Sequence, residues 1–322
     1  MSVFGKLLTM FAAIGLFILL IALILLVAGK IKEGKGGRRI GVLLAAPTLV
    51  GLSIVVVYPA IRTIYQSLFN VNGDRFVGVA NYIKVLTAPS MLIVLRNTAI
   101  WVILAPLFAT AIGLVYAVLV DRARFEVVAK SLIFLPMAIS FVGASIIWKF
   151  MYEYRSPSES SGQIGLLNQV VYWLGGNPQQ WLLTSPWNTL FLIIPMVWVQ
   201  AGFSMTVLSA AIKAIPADIT EGAMLDGAGG LAMFRYITLP SIRGPLIVVW
   251  TTVALWTLKV FDIVRTMTGG QFKTSVLANE FFTQTFRNGD QGLGATLATL
   301  LFVLVLPIVI YNVRQMRRQE AS

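Results

Sequence analysis

The stretch 213–244, KAIPADITEGAMLDGAGGLAMFRYITLPSIRG, holds the densest grouping of acids in a 322-residue sequence: Asp218, Glu221 and Asp226. Carboxylates this close together can act as an acid–base pair or hold a divalent cation. The groups such chemistry usually recruits are missing, because the sequence contains no His and no Cys. That excludes imidazole bases, thiol nucleophiles, disulfides and Cys/His zinc sites. Phosphate cradling by a GxxxxGK[ST] loop is excluded as well. The Gly-Lys pairs are Gly5-Lys6, Gly29-Lys30 and Gly34-Lys35, and none is followed by Ser or Thr. Other acids are scattered, except where Lys149 precedes Glu153 and Lys259 precedes Asp262 at helical spacing. Those two pairs are expected to be ion pairs at a membrane interface, with the lysine stems snorkelling.

The elements that must position these residues are apolar. Of the chain, 57% is hydrophobic and 12% charged, with mean hydropathy +0.83, against about 25% charged in a soluble domain. An integral membrane protein of the all-α class follows, and the +12 charge is read first as membrane topology rather than nucleic-acid binding. Seven windows hold the roughly 20 apolar residues a span needs: 7–28, 40–61, 97–120, 131–151, 187–212, 245–264 and 294–313. The first is expected to be a retained span, because its apolar run exceeds the roughly 7–15 residues of a signal peptide.

Lys and Arg sort these windows. Fourteen of the 25 fall in one set of alternating segments (Lys30 to Arg39, Arg122 to Lys130, Lys213 to Arg243, Arg314 to Arg318) and eight in the other. Arg62, Lys149 and Lys259 lie within or at the edge of spans. The richer set goes to the cytoplasm, which puts the stretch 213–244 and the C-terminus inside. No internal repeat is present, which disfavours the inverted symmetry common in secondary transporters.

Within 213–244, Pro216 suits a first helical turn, with Asp218 and Glu221 near the positive end of its dipole. Asp226-Gly227 and Gly229-Gly230 break that helix. A second short helix follows, expected to carry Leu231, Phe234 and Ile237 on one apolar face, and Pro240 stops it. Periodicity alone leaves a compact knob and an amphipathic loop resting on headgroups equally open.

The residues themselves are more specific. Glu221-Gly222-Ala223, Asp226-Gly227-Ala228 and Ile237-x-Leu239-Pro240 resemble the EAA motif of binding-protein-dependent ABC importer permeases, with Gly222 in place of the motif's first Ala. Phe76-Val77-Gly78-Val79-Ala80-Asn81-Tyr82, Leu135-Pro136, Ile146-Ile147-Trp148-Lys149, Phe261-Asp262-Ile263 and Thr268-Gly269-Gly270 are similar to strings of the maltose-type F subunit. The loop from Met151-Tyr152-Glu153 to Gly165-Leu166-Leu167-Asn168 looks most like α-glucoside permeases. The resemblance implies a type I permease fold with a six-helix core (40–322) and an extra N-terminal transmembrane helix with a basic cytoplasmic linker (1–39).

It also implies that Glu221, Gly222, Ala223, Asp226, Gly227, Ala228, Leu239 and Pro240 couple the chain to a separate ATPase. The implied partners are a G-type permease, two ATPase subunits that hold ATP and Mg, an extracytoplasmic sugar-binding protein, and the sugar. No cofactor is expected in this chain and no nucleic acid, and the setting is a bacterial or archaeal inner membrane. A sugar site wants polar side chains beside aromatic rings. Val199, Gln200 and Phe203 share one helical face, and Val253, Trp256, Thr257 and Val260 follow i, i+3, i+4, i+7. Counted from the EAA loop, these positions fall where the maltose-type permease places its sugar contacts. Within the family reading, glycerol-3-phosphate stays open as a solute. Outside it stand an enzyme acting on lipid-linked sugar, which would need paired acids or a metal site near one membrane face, and an ion-coupled carrier, which would need a carboxylate deep in a span.

Overall fold

The computed structural model describes residues 37–121, 124–156 and 165–320; the expected first span, 7–28, lies outside them. Among the described residues the chain is helical apart from turns, loops and one isolated antiparallel bridge between Phe69 and Phe76. It divides into two units, one ending at Tyr65 and one beginning at Gln66.

The first unit holds α1 (Gly37–Leu52), a wider π turn (Ser53–Val57), and most of α2 (Tyr58–Gln66). The run Leu44–Gln66 is long and apolar enough to span a membrane.

The second unit is built on α4 (Pro89–Val120) and α8 (Asn188–Lys213). Small residues let the two backbones approach closely, as is usual for helices packing in lipid. A Cβ on Gly113 would come within 2.7 Å of the Met205 backbone nitrogen, and Ala105 and Ala109 beside it are fully buried. At 32 residues α4 is about 48 Å long, so it starts before the expected window and projects beyond a hydrocarbon core of about 30 Å. Helix α12 (Arg243–Leu258) packs on α4, and α14 (Leu277–Phe282) with α15 (Gln291–Glu320) closes the unit.

Two expected spans are bent. Helices α5 (Glu126–Phe134) and α6 (Phe141–Met151) meet at 102°. Pro136 sits in a tight 3-10 turn between them, Ile139 is extended, and the Ser140 hydroxyl accepts from the Gly143 N–H at 3.1 Å to start the new helix. The 245–264 window is likewise not one helix. Within it α12 stops at Leu258, and a 70° bend ahead of the window separates α12 from α11 (Leu239–Ser241). The Lys259 and Val260 N–H groups bond back to Trp256 and Thr257 at 3.2 and 3.0 Å, tightening the last turn before α13 (Asp262–Met267). Four straight spans, or six with the bent pairs, are therefore long and apolar enough to cross a membrane among the described residues.

Asparagines hold the connections at the end of α4 and α8 away from 213–244. Phe272 and Lys273 have φ of 55° and 61°, a region that side chains other than Gly rarely adopt. Buried Asn188 donates to the Phe272 carbonyl at 2.8 Å, and buried Asn97 donates to those of Lys273 and Ser275 at 2.7 and 3.0 Å. The FxGxxNY string closes the loop ahead of α3 (Ala80–Thr87) in the same manner. Asn81 donates to the Ser67 and Phe69 carbonyls at 3.0 and 2.7 Å, and the Tyr82 and Ser67 hydroxyls are 2.7 Å apart.

Candidate functional site

The knob leaves α8 at Lys213. Helix α9 (Ala217–Leu225) has Pro216 at its N-cap and Asp218 in its first turn. Gly227, at φ 83°, ends it. The Ala228 N–H bonds the Ala223 carbonyl at 2.9 Å and the Gly227 N–H bonds that of Met224 at 3.1 Å, the paired closure of a Schellman turn. Short α10 (Gly230–Ala232), a π turn (Met233–Thr238) and α11 complete it.

Glu221, Asp226, Gly227 and Pro240 are exposed, while Gly222, Ala223, Ala228 and Leu239 are half-buried. A Cβ on Gly222 would meet nothing within 4 Å, so this chain's own packing does not require a small residue there. The expected apolar face Leu231–Phe234–Ile237 does not form as drawn, because Leu231 is 81% exposed. The register changes at Met233, where the turn widens, so three-residue spacing no longer marks one face.

The two stripes meet in part. Phe203 of α8 and Trp256 of α12 lie with ring centroids 5.0 Å apart. Gln200, one turn before Phe203, is 4% exposed, and its Oε1 has no hydrogen-bond partner. A buried amide without water requires a partner. Val199, Val253 and Thr257 are buried, and Thr257 bonds back to the Val253 carbonyl at 2.7 Å, so these three pack helices together. Val260 departs from the expected stripe because α12 ends at Leu258. The same break takes Lys259 and Asp262 out of helical register, and Glu153 falls beyond the end of α6. Neither expected ion pair is present among the described residues.

One polar cluster escaped the sequence reading. Beside the knob, Lys130 of α5 contacts Asp121 and Ser209 and donates to Glu126 at 2.9 Å. Ser209 donates to Asp121 at 2.6 Å, and Glu126 also pairs with Lys213, the last residue of α8. The ends of α4, α5 and α8 are thereby joined where the knob begins. Only the i,i+4 spacing of Glu126 and Lys130 was visible in the sequence. Among the described residues no group of His, Cys, Asp or Glu is arranged to hold a metal.

An all-helical bundle with broken spans, an uncharged amide beside stacked aromatics, and a surface knob between two spans defines a membrane permease rather than an enzyme. The chain belongs to the family of inner membrane components of binding-protein-dependent transport systems, which it matches over residues 109–317. It is 45% identical over 281 residues to the α-glucoside transport system permease protein AglF of Rhizobium meliloti, covering 87% of this chain and 83% of that one. It is 46% identical over 274 residues to the osmoprotective compounds uptake permease protein GgtC of Synechocystis, covering 85% and 98%. A bacterial ABC transporter involved in the import of the polysaccharide alginate shares the fold, with TM-score 0.73 at 22% identity over 88% of this chain and 98% of that one. The chain is thus a transport subunit of an ABC importer, and the ATPase is a partner's.

Proposed function

We propose that this permease carries an uncharged carbohydrate, an α-glucoside, across the membrane into the cytoplasm. The observation that carries this reading is buried Gln200, whose amide oxygen has no hydrogen-bond partner, one helical turn from Phe203 of the Phe203–Trp256 pair. Hydroxyls and apolar ring faces of a sugar match that combination. The similarity to an α-glucoside permease supports it. Glycerol-3-phosphate fits less well, since a phosphate favours Arg or Lys and none stands among Gln200, Phe203 and Trp256.

In this reading the chain pairs with a second permease. Two ATPase subunits using ATP and Mg grip the knob around Glu221, and an extracytoplasmic binding protein delivers the solute. The distribution of Lys and Arg supports an inner-membrane setting with the C-terminus in the cytoplasm. Nucleotide-driven movement of the knob shifts the permease between inward-open and outward-open states through differential contacts.

A second reading, import of a small osmoprotectant, is favoured by the 46% identity to GgtC. Uptake by the reconstituted complex with its binding protein separates them. Labelled maltose entering, with no competition from glycine betaine, supports the first reading. Betaine uptake without glucoside uptake overturns it.

A further inference from the structure

We infer that α7 (Leu166–Trp173), with the Leu174 that follows it, is an interfacial helix that lies against the lipid headgroups at the membrane surface opposite the knob. Its burial is inverted relative to a water-facing helix, because its one buried residue is Asn168. Leu166, Val170, Trp173 and Leu174 face outward at 50%, 37%, 72% and 82% exposure. Their spacing of four and then three to four residues sets them along one side of the helix.

Asn168 explains the inversion. It donates to the Glu153 and Gln179 carbonyls at 2.8 and 3.1 Å and accepts from the Gln179 N–H and Trp181 Nε1 at 2.9 and 3.0 Å. These bonds clamp α7 across the ends of the flanking spans with its polar residue inward and its apolar face out. Leu167 packs into the main core beside them.

The occupant is argued from charge and from continuity. No charged residue lies between Glu159 and Lys213, so α7 and its connection to α8 bring no charge that would have to be desolvated against lipid. The same uncharged segment runs on into α8, where Trp187 just before it and Leu190 in its first turn are 61% and 36% exposed. Tyr172 and Trp173 supply the amphipathic rings that settle at headgroup level. A helix of this kind sets the depth of the ends of α6 and α8. The inference depends on α8 spanning the membrane and on nothing about the solute.

The test uses the natural absence of cysteine. Leu174→Cys and Val170→Cys, each spin-labelled, are placed in the whole transporter reconstituted in phosphatidylglycerol–phosphatidylethanolamine vesicles, with Asp74→Cys as the aqueous reference. Normal solute uptake confirms that each variant is folded. At Leu174 and Val170, strong relaxation by oxygen and weak relaxation by a water-soluble nickel chelate are expected, opposite to Asp74. Nickel access equal to that at Asp74 would overturn the inference. Shielding from both agents would overturn it too, by placing the face under a protein partner.

Discussion

The indole of Trp256 leans on the ring of Phe203, with centroids 5.0 Å apart and planes inclined at 60°. The contact joins α12, the helix that follows the knob, to α8, the helix that precedes it, one turn from Gln200. The cluster is therefore placed to respond when the knob moves.

Trp256→Ala removes the larger ring of the pair. Uptake is expected to fall about tenfold, the equivalent of about 1.4 kcal/mol of lost stacking, with the complex assembled. Trp256→Phe should keep most of the rate. Initial uptake rates against solute concentration check this; unchanged transport in the Ala variant would leave Trp256 as packing alone.

Gln200→Leu separates stability from transport. An unpartnered buried carbonyl costs about 1–3 kcal/mol, so Leu of similar volume should raise the melting temperature of the detergent-solubilised complex while uptake drops. A fall in both would mean that the amide holds the bundle together and does not meet solute.

Glu221→Lys reverses an exposed charge on the first helix of the knob. The complex should insert and bind nucleotide, and ATP hydrolysis by the partner should no longer drive uptake. Gly222→Ala is the companion test. Its Cβ meets nothing within 4 Å of this chain, so any loss of uptake in that variant reports contact with the ATPase.

Lys130 and Lys213 both touch Glu126, and their removal should differ. Lys130→Met strands Asp121, whose side chain is 9% exposed and whose Oδ2 already lacks a partner, at a cost of about 1–3 kcal/mol. Lys213 is half-exposed, and an exposed pair contributes little, so Lys213→Met should leave thermal stability nearly unchanged. Unfolding midpoints of the two variants decide it.

The parts legible in the sequence were those written in local pattern. The spans at 40–61, 97–120, 187–212 and 294–313 follow from apolar length. The break at Asp226-Gly227 follows from glycine's access to positive φ. The knob's residues carry a contiguous string that needs no tertiary information to be read. Val260 alone drops out of the Val253–Val260 stripe, because helical spacing assumes that the helix continues and α12 ends at Leu258.

Apolar runs and the missing P-loop, by themselves, determined a membrane protein without a P-loop ATPase, because both are properties of contiguous residues, and the resemblance of the 221–240 string to the EAA motif implied a permease. The three-dimensional fold alone decided that Phe203 meets Trp256, that Asn97 and Asn188 hold a strained turn from far along the chain, and that Asp121, Lys130 and Ser209 form one cluster. Contacts between distant residues depend on how close helices come and where they bend, and local sequence does not encode either distance.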